Sequence, residues 1–377
     1  MTGRRGFMAA LGGLVLGAAM PRIATARVQA RDIVAIDGAG GTGLFWYDPA
    51  DPANAQTIRD ELDAIRASGL TAVVLTLSPS GRFWMDDAAF EKTKAAFDSW
   101  AAIVARHPAH LTLIQTAGDL ERARRERKLG LIHTFQGAEP LGEDIERIPM
   151  FRARGLCVLQ LTHNRRNLVG DGCMEPGNAG LSNFGREVVK RLNAERIVVD
   201  LAHGSPRTMA EGVAASRAPM LISHTGCRAL ADLPRNTDDA TLRAMADKGG
   251  VAGIIFWPYL RTDTQPMAED VVRHIEHAVK VCGEDHVGIG TDTGIAPIAR
   301  TPEFEKGNRE WVASAVEDGV FDRGRPADLY TFIPDLNTAD RFDRLASLLS
   351  KRGHSDARIA KILGGNFARV MREVWGD

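Results

Sequence analysis

Cysteine is scarce in this chain, with 4 residues in 377, and long apolar runs are also missing. So few cysteines exclude the disulfide-dense class of small domains. No internal apolar run approaches the roughly 20 residues that a membrane-spanning helix needs. An excess of one charge is absent too, because 47 Lys and Arg face 48 Asp and Glu. We therefore expect no nucleic-acid partner and no stable membrane span.

The first 30 residues contain no acidic side chain at all. Arg4 and Arg5 precede a short apolar stretch, Ala9–Ala19, and small residues follow it. This order is typical of an export signal, and the paired arginines indicate the twin-arginine route. A membrane anchor is the alternative, but the apolar stretch is short and Pro21 ends it. We expect residues 1–30 to be a signal peptide and the mature protein to be periplasmic. Export in the folded state suits a chain that takes up a metal or cofactor first.

Short β-branched or apolar runs recur along the remaining chain, each followed by a longer amphipathic segment. Continuous apolar strands that alternate with helices indicate a parallel sheet covered on both faces. Eight such units over about 260 residues predict a (β/α)8 (TIM) barrel, an α/β fold, as one domain over residues 31–377. Leu111–Gln115 is predicted to be an accessory strand. The eight runs are Ile33–Ile36, Thr71–Leu77, Leu131–Phe135, Leu156–Leu161, Arg196–Leu201, Met220–Ser223, Gly250–Phe256 and Val287–Thr291. Helical patterns cover Ala53–Ser68, Ala88–Arg106, Phe184–Asn193, Asp239–Lys248 and Met267–Cys282, with two closing helices around Thr338–Lys351 and Ser355–Trp375.

Histidines follow three of the predicted strands, at the end of a barrel where chemistry takes place. His163, His203 and His224 follow strands four, five and six, and Asp292 follows strand eight. Imidazoles with a carboxylate are the usual ligands of a zinc-type ion. Among the other histidines, His133 is expected to be structural within strand three, and His286 is expected at the opposite end of the barrel. The remaining five are expected at the surface: His107, His110, His274, His277 and His354.

Several segments together resemble the renal (membrane) dipeptidase family, metallo-dependent hydrolases with an amidohydrolase-like barrel. They are LTHNRRN at 161–167, DLAHGS at 200–205, SHTGCRAL at 223–230, PRNTDD at 234–239, KGGVAGIIF at 248–256 and HVGIGTD at 286–292. The resemblance implies a dipeptidase that acts on a small peptide-like substrate at a two-metal centre. It implies that His203 and His224 bind one metal, that His163 contacts the substrate, and that Asp292 handles the proton. Arg235 then binds the substrate carboxylate, although a structural tie to Asp238 or Asp239 is the alternative.

Two departures from the family pattern affect the metal centre. The family carries His-x-Asp after the first strand, where this chain has Asp37-Gly38-Ala39-Gly40-Gly41. The family also places a bridging Glu at the end of strand three, where Gln136 is the counterpart and Glu139 lies three residues further on. We therefore predict at most one tightly bound ion, zinc, held by His203, His224 and Asp292, with Gln136 or Glu139 as a fourth contact.

The sequence leaves other possibilities to consider. The glycines from Gly38 to Gly43 satisfy G-x-G-x-x-G, but no helix opens after them and strand two ends without an acid, so a dinucleotide site is disfavoured. Cys173 and Cys227 are expected on loops near the mouth and could form a disulfide. The main functional alternative is a barrel that has lost hydrolysis and serves as a binding protein or a periplasmic tailoring enzyme. A homodimer is left open.

Overall fold

A parallel sheet curls into a barrel with helices around it, as the sequence predicts. The computed structural model describes residues 28–79, 87–317, 320–321 and 325–376. All described pairings between neighbouring strands of this sheet are parallel. The strands are β1 (Ile36–Gly41), β2 (Ala72–Thr76), β3 (Leu111–Leu113), β4 (Leu129–Gln136), β5 (Leu156–Gln160), β6 (Val198–Asp200), β7 (Leu221–Thr225), β8 (Val251–Ile254), β9 (Val287–Ile289) and β10 (Thr293–Gly294).

The barrel closes through one chain segment that contains both β9 and β10. Ile289 of β9 pairs with Ile254 of β8, and Thr293 of β10 pairs with Gly40 of β1. The segment 287–294 therefore serves as the eighth barrel strand. The short β3 pairs only with β4, at the edge of the path around the barrel, which confirms its predicted accessory place.

The helices lie where amphipathic patterns alternate with the strands, and several begin at a side-chain cap. Ser182, Ser205 and Asp238 each accept a hydrogen bond from a backbone N–H three residues on, which satisfies a donor of the first turn. The α-helices are α1 (Ala55–Ser68), α2 (Ala88–Arg106), α3 (Ala117–Glu126), α4 (Arg147–Ala153), α5 (Asn183–Ala194), α6 (Pro206–Ala215), α7 (Asp239–Asp247), α8 (Ala268–Cys282), α9 (Pro302–Glu317), α10 (Arg341–Lys351), α11 (Asp356–Ala360) and α12 (Asn366–Trp375).

Side chains alternate between the barrel interior and the layer under the helices. On β4, Leu131 and Phe135 pack in the outer layer, whereas Ile132 packs in the interior cluster. The C-terminal helix α12 joins that interior cluster through Phe367, Val370 and Met371. Helix α12 therefore plugs the end of the barrel at which the strands begin.

The first strand differs from its prediction in position. The apolar run Ile33–Ile36 was expected to form it, but β1 begins at Ile36 and continues through Asp37 to Gly41. A Cβ atom on Gly38 would lie 2.5 Å from the ring of Phe367, and one on Gly288 would lie equally close. Gly38 is thus required by the plug helix, and the glycine run is a strand rather than a phosphate-binding loop.

The predicted export signal mostly lies outside the described residues, which begin at position 28. In the part of the chain that the structure describes, no helix is long and apolar enough to cross a membrane.

Candidate functional site

Three histidine rings meet where the strands β5, β6 and β7 end. The Nε2 atoms of His203 and His224 lie 2.8 Å apart, and both side chains are buried. The ring of His163 stacks on that of His203, with centroids 4.3 Å apart and planes 23° apart. Nδ1 of His163 is buried and has no hydrogen-bond partner among the described residues. The barrel thus brings the three predicted histidines together.

The outer nitrogens of the central pair are held by proton acceptors. Nδ1 of His203 lies 2.7 Å from Oδ1 of Asn164, and Nδ1 of His224 lies 2.7 Å from the hydroxyl oxygen of Ser223. Ser223 donates its own hydroxyl proton to the buried carboxylate of Asp200 and is therefore left to accept from His224. These partners can accept a proton from each Nδ1 atom, and in that tautomer both Nε2 atoms are free to bind a cation.

The 2.8 Å between the two Nε2 atoms is the length of an N–H···N hydrogen bond, and it is shorter than the roughly 3.3 Å between two nitrogen ligands of a tetrahedral zinc ion. Burial lowers the pKa of both His203 and His224 well below the usual 6.5, and the charge of Arg235 lowers it further. Burial likewise lowers the pKa of His163 to about 4. Near neutral pH an additional proton, which would make one ring an imidazolium, is thus disfavoured at the pair. The donor set of two imidazole nitrogens with fixed outer partners fits a soft divalent cation.

Asp292 faces the pair from the last strand of the barrel. Its Oδ2 lies 4.0 Å from Nε2 of His224, and Nε2 of Gln136 lies 3.5 Å from its Oδ1. Burial raises the pKa of Asp292 to about 6, although the charge of Arg235 and the contact from Gln136 oppose this rise. The indole N–H of Trp257 donates to the Asp292 carbonyl at 2.7 Å. The carboxylate is thus held in place and is able to take up or release a proton near neutral pH.

The backbone at the site is held in an unusual conformation at two of these residues. His203 and Asp292 have φ angles of 62° and 56°, in the left-handed region that side chains with a Cβ seldom adopt. The N–H of Asp292 donates to the Ala39 carbonyl at 2.7 Å, which ties the last strand to the first. Such conformations cost of order 1–3 kcal/mol each and persist where the surrounding structure imposes them.

Arg235 is 3% exposed and lies beside the ring of Tyr259, with 5.8 Å from the guanidinium carbon to the ring centroid. Its Nε and Nη2 atoms are buried and have no hydrogen-bond partner among the described residues. Neither of the two aspartates proposed as structural partners engages it. Asp238 caps α7 through the N–H of Thr241, and Asp239 pairs with other side chains. A buried guanidinium group with unpaired N–H donors is suited to bind an anion.

Glu139 takes a different place from that of a bridging ligand. Its Oε1 accepts from the amide of Asn167 at 3.3 Å, and its buried Oε2 has no partner in the described chain. Burial raises the pKa of Glu139 to about 7. Within the described ranges, no group of three or more His, Cys, Asp or Glu side chains is arranged to hold a metal ion. The structure therefore brings His203, His224, Asp292 and Gln136 close together and leaves Glu139 with Asn167.

One expectation about a histidine is wrong, and the cysteine pairing that the sequence left open is not formed. His274 was expected at the surface, but it is 1% exposed, accepts from the N–H of Cys227 and contacts the Leu260 carbonyl. No disulfide joins Cys173 to Cys227, because the first thiol lies against Asn164 and the second against the His274 carbonyl. His133 is buried within β4 as expected, although its Nε2 has no partner among the described residues.

The family model of the membrane dipeptidases, peptidase family M19, matches residues 26–305. Dipeptidase verJ of Clonostachys rogersoniana is 27% identical over 361 residues, which cover 91% of this chain and 84% of that protein. A solved amidohydrolase from Pseudomonas aeruginosa is 27% identical, with a TM-score of 0.77 and coverage of 92% of this chain and 98% of that one. Dipeptidase AC, a metallo peptidase of family M19, has the same fold at 21% identity, with a TM-score of 0.73 and coverage of 92% and 99%.

Proposed function

The chain belongs to the membrane dipeptidase family, peptidase family M19, and from that premise we propose that it hydrolyses a dipeptide or small amide with a free carboxylate, using one bound zinc ion. The observation that carries this proposal is the pair of buried rings of His203 and His224. With Asn164 and Ser223 accepting the two Nδ1 protons, a cation would bind both Nε2 atoms in place of the 2.8 Å hydrogen bond between them. Outer partners that fix the tautomer in this way are typical of metal-binding histidines.

The available charge supports one ion rather than two. His203 and His224 are neutral ligands, Asp292 supplies a single negative charge, and Gln136 supplies none. Two divalent cations about 4 Å apart need more anionic ligands than this. The stretch after the first strand, where the family carries His-x-Asp, reads Asp37-Gly38-Ala39-Gly40-Gly41 in this chain and contains no histidine. His203, His224 and Asp292 would hold a single zinc ion, which would supply Lewis-acid polarisation of the scissile carbonyl group of the substrate.

Substrate capture is assigned to Arg235. A planar guanidinium donates two parallel hydrogen bonds to a carboxylate, and Nε with Nη2 form one edge suited to this. Both atoms are buried and unpaired in the described chain. A ligand carboxylate at this edge would satisfy both atoms and would add a negative charge beside the buried guanidinium. His163, stacked on His203 with its Nδ1 unpaired, is then placed to contact the same ligand.

Asp292 is assigned the proton transfers of the reaction. A general acid or base works best when its pKa lies near the working pH, and burial raises the pKa of this carboxyl to about 6. The carboxylate can accept a proton from the attacking water and return it to the leaving amine. Trp257 and Ala39 form hydrogen bonds with the backbone of Asp292 from two sides, and these bonds keep the carboxylate in one orientation during the transfer.

A second candidate function is favoured by a specific observation. The stretch from Asp37 to Gly41 has no His-x-Asp, and Gln136 stands where the family carries a bridging Glu, as expected of a barrel that has lost hydrolysis. In that case the Arg235 site serves carboxylate binding in a binding protein or a tailoring enzyme. In either case we place the protein in the periplasm, since Arg4 and Arg5 precede the apolar stretch of an export signal.

Elemental analysis combined with a dipeptide library separates the two functions. The purified protein is expected to hold one zinc ion per chain and to hydrolyse dipeptides with a free carboxylate. The double variant His203→Ala, His224→Ala should lose both properties. The control His286→Ala, at the opposite end of the barrel, should keep both. Two ions per chain would contradict the single site, and dipeptide binding without metal or hydrolysis would favour the second function.

A further inference from the structure

A cleft of about 500 Å³ opens at the end of the barrel opposite the histidines. It lies where β2 and β4 begin, between the end of α1 and the end of α3. Its floor is apolar, formed by Ile65, Leu70, Ala123 and Leu129. Its rim is basic and consists of Arg31, Arg66, Arg124, Arg127 and Lys128, with His110 beside them.

The basic rim is only partly neutralised by acids of the described chain. Three of its cations have acidic neighbours: Arg66 lies 3.5 Å from Asp63, Arg124 lies 3.6 Å from Glu121, and Lys128 lies 2.8 Å from Glu126. The two others, Arg31 and Arg127, form no ion pair with any described residue. The rim therefore carries an excess of two positive charges.

Arg124, at the rim of the cleft, has a hydrogen-bond donor that is not satisfied by the described chain. Its Nε atom is buried and has no hydrogen-bond partner among the described residues, because the oxygen of Glu121 is too distant for a hydrogen bond. Arg127 ends α3 with a φ of 54°, at a helix end where glycine is the usual residue. An arginine is thus held in a strained conformation at the rim of the cleft.

We propose that this cleft is a second ligand site, separate from the histidine site, which binds a small phosphorylated organic molecule. A phosphate monoester carries close to two negative charges at neutral pH, which matches the excess on the rim. Its terminal oxygens accept from more guanidinium groups than one carboxylate can serve. The apolar floor takes the organic part of the ligand. The chain's own first 30 residues are an unsuitable occupant, because they carry four arginines and no acid.

Calorimetric titration of phenyl phosphate into the full chain, with benzoate as the carboxylate comparison, tests this site. The double variant Arg31→Ala, Arg127→Ala should bind phenyl phosphate about tenfold more weakly or worse, because two charge-assisted contacts are lost. Arg125→Ala is the matched control. It removes the same group from the same helix outside the cleft and should leave the affinity unchanged.

Four results would overturn the proposal. They are no binding of phenyl phosphate by the unaltered chain, equal binding of benzoate, an equal loss in Arg125→Ala, and undiminished binding in the double variant. The last result would place the anion at Arg235 in the mouth of the barrel. If the double variant fails to fold, Arg31→Ala alone decides the question, because Arg31 precedes the first strand and is exposed.

Discussion

Removing the hydroxyl group of Ser223 is expected to weaken zinc binding while the barrel stays folded. The hydroxyl oxygen accepts the Nδ1 proton of His224 at 2.7 Å and passes its own proton to Asp200. In Ser223→Ala the ring of His224 loses the partner that fixes its tautomer, and Nε2 no longer offers its lone pair in every molecule. Loss of such an outer partner costs about 10–100-fold in metal affinity, which is about 1.4–2.7 kcal/mol.

The same substitution should lower the free energy of unfolding without unfolding the chain. Asp200 keeps two other donors in the variant, the backbone N–H groups of Ala202 at 3.0 Å and of residue 223 at 2.9 Å. Two buried hydrogen bonds are lost, one to His224 and one to Asp200, and each loss costs of order 1–3 kcal/mol. A chain of this size tolerates such a loss, because it is a fraction of the usual 5–15 kcal/mol of stability.

Competition with a chromophoric chelator measures the zinc affinity of the purified chain, and thermal unfolding of the metal-free chain measures stability. Ser216→Ala is the control, because Ser216 is also a buried serine that bonds to the Ala218 carbonyl, yet it has no contact with the histidines. Zinc affinity in Ser223→Ala equal to that in the control, with both chains folded, would refute the assignment of the histidine pair as the metal site.

Four further outcomes are expected. Arg235→Lys should raise KM for a dipeptide with a free carboxylate far more than it lowers the melting temperature, since a lysine cannot replace the forked bond; equal KM with lower stability would make the residue structural. Phe367→Ala should lower the free energy of unfolding in urea by about 3–5 kcal/mol, because it leaves a cavity where the ring packs against Gly38 and Gly288. Burial raises the pKa of Asp37 to about 7, so the folded chain holds this proton more tightly than the unfolded chain does. The free energy of unfolding should therefore fall as pH rises from about 4 to 7, and in urea titrations of Asp37→Asn this part of the pH dependence should be absent. Arg4→Lys with Arg5→Lys should leave the protein in the cytoplasm on fractionation, and normal export would contradict the twin-arginine route.

Most barrel strands could be predicted from sequence because they are buried on both faces. Such strands read as short runs rich in apolar residues, as in Leu156–Leu161 and Val287–Thr291, and this pattern locates them. The first strand was placed too early, since its last five residues are Asp37 and four small residues that carry no strand signal. Pairing with β2 and β10 and the ring of Phe367 hold that segment extended, and these are tertiary effects.

The candidate site could be predicted in part, for a reason of chain geometry. Residues that follow the strands of a barrel converge at one end, so the proximity of His163, His203 and His224 follows from topology alone. The partners that fix the rings were missed, although Asn164 and Ser223 each stand next to one of these histidines in the chain. Which neighbour turns toward which ring depends on side-chain orientation across strands, which adjacency in sequence does not set.

Buried polar groups surround the histidines at the ends of β6 and β7. Asp200 is buried and accepts from the hydroxyl group of Ser223 and from two backbone N–H groups. Arg235 is buried with two unpaired nitrogen atoms among the described residues, and its charge opposes the rise that burial causes in the pKa of both Asp200 and Asp292. Polar groups that are buried without partners cost stability. A cation at the histidine pair and a carboxylate at Arg235, as we propose, would give partners to the groups that the described chain leaves unpaired.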